Sequence, residues 1–210
     1  MSRTFRTLWY YGARCVDELL ARVVSVAVGA WLAAVTGRRP RRMRADGLPR
    51  IRLHPKGTLT IGDDVRLISS CGLNAVGGQQ RTIIWIGPSG RVSIGDRTGL
   101  SHATIACLTR IEIGSGVLIG GGVRIFDSDF HALPLGRMAP GRDPVTLPVR
   151  IEDDAFVGAH ATILKGVTIG RGAVIGAASV VTSNVPAHEV WSGNPARRIG
   201  STLKARVAAL

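Results

Sequence analysis

At 210 residues the chain is long enough for one substantial domain with a good core, and 27 glycines with only 5% aromatics suit a backbone-dominated β architecture better than a helical bundle. The formal charge of +13 rests on 24 Arg and 3 Lys, an Arg bias that genomic composition can impose. No base-reading motif and no interleaving of aromatic with basic residues accompanies it, which argues against a nucleic-acid partner. The cysteines, Cys15, Cys71 and Cys107, are few, odd in number and far apart, and read as reduced thiols of a cytosolic protein without metal-ligand spacing.

The first element is helical. Phe5, Leu8, Trp9, Val16, Leu19, Leu20, Val23 and Val24 recur at three- and four-residue spacing, with Arg3, Arg6, Arg14, Asp17, Glu18 and Arg22 mostly on the other side. The pattern then turns apolar all round in "VVSVAVGAWLAAVT", 23–36, and is followed by "GRRPRRMR", with five Arg between 38 and 44. A spanning helix needs about 20 apolar residues, so residues 19–36 suffice only if Arg22 snorkels. A basic cluster beside an apolar helix fits an anionic cytoplasmic membrane surface, which the helix can span, dip into or avoid. The late start of the apolar run argues against a cleavable signal peptide. The alternative is packing on the domain itself or on a neighbouring subunit. Residues 1–50 thus read as a separate unit, and deleting 1–44 is expected to leave a soluble domain.

From residue 51 a six-residue period takes over. It runs through Ile151, Val157, Ile163, Ile169, Ile175 and Val181, and Ala155, Ala161, Val167, Ala173, Ser179 and Val185 follow four residues after each. The same beat recurs at Ile61 and Leu67, at Ile94 and Leu100, and at Ile113, Ile119 and Ile125. Neither a helix nor a flat strand repeats at six. A coiled sheet does, with one short strand and one turn per unit, the aliphatic pointing inward and glycine or another tolerant residue at the unusual backbone angles. Between Ile125 and Ile151 the period breaks, and "HALPLGRMAPGRDPVTLP", 131–148, reads as an excursion from the coil. His131 stands where the beat calls for an aliphatic, with Asp127 and Asp129 just upstream.

The segment "IEDDAFVGAHATILKGVTIGRGAVIGAASVVTSNVPAHEVWSGNPARRI", 151–199, resembles the hexapeptide-repeat acyltransferases, most closely the sugar O-acetyltransferases of galactoside, maltose and polysaccharide-modifying type. The resemblance covers roughly residues 51–200 and ends in the "GNPA" turn at 193–196. It implies a left-handed parallel β-helix, a homotrimer, and acetyl-CoA in clefts between subunits, with no metal required. Phe156 stands where Trp is usual, and "AAS" at 177–179 replaces the commoner Ala-Gly-Ser.

In the resembling family the excursion reaches a neighbouring subunit and its first histidine is the catalytic base, here His131. The chemistry asks for that residue type, because an alcohol attacks a thioester slowly unless its proton leaves as the C–O bond forms. A carboxylate on the other ring nitrogen would fix the tautomer, and Asp127 and Asp129 are the local candidates. For the CoA, the resemblance implies the outer edge of the last coils. There Gly158, Ala159, Gly176, Ala177 and Ala178 leave room for the pantetheine arm beside the turn holding Asn194, and Lys165, Arg171, Arg197 and Arg198 are candidates for the phosphates. His54 and His188 are expected in solvated turns, and His102 and His160 on the surface. No histidine pair has close zinc-ligand spacing, which argues against a γ-type carbonic anhydrase. After residue 200, "STLKARVAAL" is expected to form a short helix capped by Ser201 or Thr202.

The chain is therefore expected to be a cytoplasmic O-acetyltransferase of a sugar hydroxyl, working beside the inner membrane in polysaccharide or lipid-linked glycan assembly. An antibiotic or other small-molecule acetyltransferase, and a non-catalytic β-helical scaffold, are the alternatives. Residues 1–50 are too short for the helical N-terminal domain of a serine acetyltransferase.

Overall fold

A computed structural model describes residues 3–70, 76, 80–131 and 144–205, with backbone only for 3–17 and 204–205. Cys71, the middle of the 127–148 excursion and the residues after 205 lie outside that set, as do the side chains of Cys15 and of the helix before Glu18.

Helix α1 (Arg3–Thr36) is one continuous element. The strands that follow wind into three parallel sheets. Sheet A runs β1 (Arg44–Asp46), β4 (Arg66–Ile68), β7 (Gly99–Ser101), β10 (Leu118–Ile119), β13 (Phe156–Val157), β16 (Val174–Ile175), β18 (Glu189–Gly193) and β19 (Ala196–Ser201). Sheet B runs β2 (Arg50–Leu53), β5 (Ile83–Ile86), β8 (Thr104–Cys107), β11 (Arg124–Phe126), β14 (Thr162–Ile163) and β17 (Val180–Val181). Sheet C runs β3 (Thr58–Ile61), β6 (Arg91–Ile94), β9 (Arg110–Ile113), β12 (Val149–Ile151) and β15 (Thr168–Ile169). Through β17 each strand pairs in parallel with the third one along, so the chain visits the three faces in turn, the arrangement of a left-handed β-helix; β18 then pairs with β16, and β19 folds back antiparallel on β18. The chain ends in α2 (Thr202–Ala205), where Ser201 Oγ accepts the Leu203 N–H.

The six-residue beat is the core. Ile151 stacks on Ile169, Val157 on Ile175 and Ile163 on Val181, partners three hexapeptides apart. All six side chains are buried, as are the small residues four positions later. The glycines just after the aliphatic have a different reason from the expected one. Gly158 and Gly170 do not take left-handed angles. A Cβ on Gly158 would stand 2.6 Å from the Ala177 nitrogen, and one on Gly170 2.5 Å from the Ala187 nitrogen. Stacking of the next coil, not turn geometry, excludes a side chain there. The left-handed residue comes two positions later, at His160, Gly172 and Ala178 among others.

The N-terminal boundary also moves. The coil begins at β1, before residue 51, and α1 packs on β1 and β3, the first strands of two sheets. Ala21, Val28 and Leu32 are buried against this end, Val28 and Leu32 in one core with Met43, Ala45 and Leu59. Polar bonds tie the same end. Ser25 Oγ accepts the Ala45 N–H, and the Arg44 guanidinium bonds both Glu18 and the buried Asp46, which also takes Arg66. The Arg44 hydrogen bond holds the Glu18 carboxyl below the usual carboxylate range. Deleting residues 1–44 would uncover the core, so the expected soluble truncation does not fit this fold. Two more of the five arginines are held by the coil's own acids, Arg38 by Asp63 and Arg42 by Asp64.

Candidate active site

The prism has three edges, where the chain turns from A to B, from B to C and from C to A. The excursion carrying His131 leaves β11 at the B–C edge. Its two ends form a short antiparallel bridge, Ser128 with Thr146, in which the Asp129 N–H donates to the Val145 carbonyl and the Leu147 N–H to that of Asp127. Phe130 then turns left-handed, with φ 58°, an unusual angle for so large a side chain. Ser128 Oγ accepts its N–H at 2.9 Å, and its ring meets Trp85 and Phe126 edge-on, at centroid distances of 6.2 and 5.8 Å. The next residue, His131, emerges exposed. Strained backbone braced from several directions is common where a side chain must be aimed.

The two acids part company. Asp127 is fully buried, and its carboxylate accepts the N–H groups of Leu108, Thr109 and Arg110 and the Thr109 hydroxyl, all between 2.7 and 2.9 Å. It clamps the B–C turn of the preceding coil and does not reach outward, so it is corrected from orienting acid to internal clamp. Cys107 Sγ lies 3.4 Å from the same carboxylate, and burial together with that charge pushes its thiol up to about 12. Asp129 stays at the surface, where its Oδ1 takes the Lys165 ammonium at 2.6 Å. No described contact joins either acid to His131.

The candidate donor edge lies elsewhere. Ala159, Ala177 and Ala178 belong to the A–B turns, and Ala178 N–H donates to Ala159 O at 2.8 Å. Ala177 and Ala178 are exposed, whereas Gly158 is sealed by the coil above it. Sheet B separates this edge from His131 by one face of the prism, roughly 15 Å at about 3.3 Å per residue. The structure therefore does not bring the candidate base and the candidate donor edge together within one chain.

Three of the four basic residues considered for the CoA phosphates are already engaged. Lys165 is held by Asp129, Arg171 by Asp153 and Arg198 by Glu189. Arg197 is exposed and, among the described residues, meets no acid; its guanidinium donates to the Ala196 carbonyl. It flanks the turn at exposed Asn194, which joins β18 to β19.

Two features escaped the sequence reading. One is the aromatic group Trp85, Phe126 and Phe130 on the outer face of sheet B beside His131, which joins Trp85 of β5 to two rings at and just beyond the end of β11. The other is a second excursion between β4 and β5, at the A–B edge. Its signal was present, since Leu67 to Ile94 is not a whole number of hexapeptides. Its Val76 carbonyl accepts from His160 Nε2 at 2.9 Å, given the tautomer that puts the proton there. Its far end brings Gln80 onto the His102 carbonyl. His102, expected on the surface, is instead fully buried. Burial lowers its pKa. His54 is exposed and His188 half-buried. Among the described residues no cluster of three or more His, Cys, Asp or Glu is placed to hold a metal.

Residues 148–183 match the family model described as the hexapeptide repeat of succinyl-transferase. A 2,3,4,5-tetrahydropyridine-2,6-dicarboxylate N-acetyltransferase of Staphylococcus aureus is 45% identical over 73 residues, 32% of this chain and 30% of that relative. The chain thus spans less than a third of the length of the curated relatives it matches. Among solved structures, AntD, an N-acyltransferase from Bacillus cereus in complex with dTDP and 3-hydroxybutyryl-CoA, superposes with a TM-score of 0.56 at 21% identity, covering 81% of this chain and 85% of that one. The polySia-specific acetyltransferase NeuO also gives 0.56, at 24% identity, covering 78% and 68%. At such identities the two structures show a shared fold.

Proposed function

We propose that this chain, a hexapeptide-repeat protein with the β-helical fold of acyltransferases, moves an acetyl group from acetyl-CoA to a sugar hydroxyl at the cytoplasmic face of the inner membrane, in polysaccharide or lipid-linked glycan assembly. The observation that carries the reading is the braced excursion at the B–C edge, which presents His131 to solvent. His131 takes the acceptor hydroxyl proton as the oxygen attacks the thioester carbon. The tetrahedral intermediate collapses, the C–S bond breaks, and the proton passes from the imidazolium to the leaving thiolate. Two neutral substrate groups held side by side suffice, without a covalent enzyme intermediate.

Because one face of the prism separates His131 from the donor edge, the complete site forms between chains. His131 of one chain faces Ala159, Ala177 and Ala178 of the next, and a closed ring of three satisfies each edge once. Arg197 is the cation of the four best free to meet a CoA phosphate. Asp129 is the remaining acid near His131, and the aromatic group offers apolar ring faces on which a sugar can lie.

The relatives named as N-acyl- and N-acetyltransferases favour a second reading, transfer to an amine on a sugar or small molecule. A thiol-release assay with acetyl-CoA against hydroxyl- and amino-sugars, nucleotide sugars and lipid-linked glycans separates the two. His131→Ala should lower turnover by about two to four orders of magnitude with CoA binding retained. Near-normal turnover in that variant would remove His131 as the base.

A further inference from the structure

Helix α1 closes the N-terminal end of the coil with one face and leaves another apolar face uncovered. Leu19, Leu20, Val23, Val26, Trp31 and Val35 are 38 to 64% exposed, in the same segment whose Ala21, Val28 and Leu32 are buried. Scattered apolar side chains are ordinary on a surface, but a continuous strip of this kind marks a contact site. Glu18–Thr36 is apolar enough to cross a membrane by composition, with a mean hydropathy of 1.9.

Cations border the strip. On one flank Arg39, Arg41 and Arg42 line a groove with Val26 and Gly29, and a Cβ on Gly29 would stand only 3.7 Å from Arg39 Nε. Arg22, one turn before Val26, has 77% of its side chain exposed. On the other flank Ala27 and Trp31 form an apolar groove with Leu48, Pro49 and Ile51, beside exposed Arg50. Among the described residues the guanidinium groups of Arg39, Arg41 and Arg50 meet no acid.

We propose that this face is a docking surface for an anionic lipid bilayer, and that α1 lies in the plane of the interface instead of crossing it. An apolar strip with arginines along its borders matches acyl chains below and phosphate headgroups beside them. Crossing is opposed by the inner face. A helix threaded through the bilayer would strip Val28 and Leu32 from the core and break the bonds of Ser25 to Ala45 and of Glu18 to Arg44. A second copy is the poorer occupant, because a two-fold pairing of this face sets its arginines against their own counterparts. The coil axis then points away from the membrane, with its first coil nearest the lipid.

The test is flotation of the folded full chain with phosphatidylcholine vesicles, with and without phosphatidylglycerol. Binding is expected only to the anionic vesicles, with release at high salt. Arg39→Gln with Arg41→Gln should weaken the partition about thirtyfold at low salt, since each arginine near such a surface contributes about 1 kcal/mol. Val23→Asp with Val26→Asp should abolish it while leaving thermal unfolding nearly unchanged, because both side chains are exposed. Should that pair unfold, the arginine pair decides alone. Equal binding to neutral vesicles, or protein that resists high salt and needs detergent for release, overturns the in-plane reading. No binding by the folded full chain overturns it too, most plainly if Val23→Asp with Val26→Asp then splits a larger assembly in sizing experiments.

Discussion

Replacing Asp127 with Asn separates a structural acid from a catalytic one. The carboxylate takes Leu108 N–H on Oδ1, and on Oδ2 the N–H groups of Thr109 and Arg110 with the Thr109 hydroxyl. Asn keeps an oxygen for one side only. With that oxygen facing the larger group of donors, its amide NH2 is turned onto the Leu108 N–H, donor against donor. One buried backbone donor left unsatisfied costs about 1–3 kcal/mol. At about 2–4 °C per kcal/mol for a domain of this size, the midpoint should fall by roughly 2–12 °C. Asp127→Ala strands three backbone N–H groups, offset in part by no longer burying a carboxylate, and should cost about 3–5 kcal/mol. Calorimetry gives the midpoint, and acetyl transfer per folded molecule, well below the midpoint, gives the activity. Transfer should stay within a few-fold of the parent. An Asp127→Asn protein with an unchanged midpoint and transfer reduced by about 10⁴ would mean that Asp127 orients the base after all, and the clamp reading would fail.

His102 should make the fold acid-sensitive. Burial lowers its pKa in the folded chain below the ordinary 6.5, so above that pH its contribution to stability is unchanged, and as pH falls through 6.5 towards the folded value the unfolded chain gains protons that the fold refuses. His102→Leu should flatten the fall of melting temperature between about pH 7 and 5, and parallel curves for the two proteins would refute this. Cys107, with its thiol raised to about 12, should stay unalkylated in the native protein near pH 8 and react on denaturation, as read by peptide mapping; rapid native labelling would contradict the burial described. Phe130→Ala removes two edge-on ring contacts, each worth about 0.5–1.5 kcal/mol, and should lower kcat/KM for the acceptor by about tenfold or more with the acetyl-CoA KM unchanged. An equal loss for both substrates would assign the aromatic group to stability instead.

The hexapeptide beat was legible because it is a burial pattern. Ile151, Val157 and Ile163 point inward whatever else the chain does, and that spacing admits few other architectures. The same logic identified His131, since an imidazole on an aliphatic beat followed by prolines has left the core. Asp127 was misread for a related reason. It lies two residues after Ile125, near the end of the same strand, and nothing local says whether a carboxylate there turns out to solvent or back to the three N–H groups of Leu108, Thr109 and Arg110. Those donors come from the previous coil, 17 to 19 positions earlier in the chain.

Sequence alone determined the coiled architecture, the excursion at 127–148 and a helix of apolar character before residue 37, because each follows from periodicity or from backbone-breaking residues read within one window. Tertiary structure decided what the elements face. It made α1 a cap on the first coil, put Glu18 and Asp63 beside arginines of the basic segment, and buried His102 at the foot of an excursion the period had only hinted at. It also set the candidate base and the candidate donor edge on opposite borders of sheet B. All of these depend on which coil stacks on which, and strand stacking joins residues sixteen or more positions apart through backbone hydrogen bonds that carry no side-chain signature.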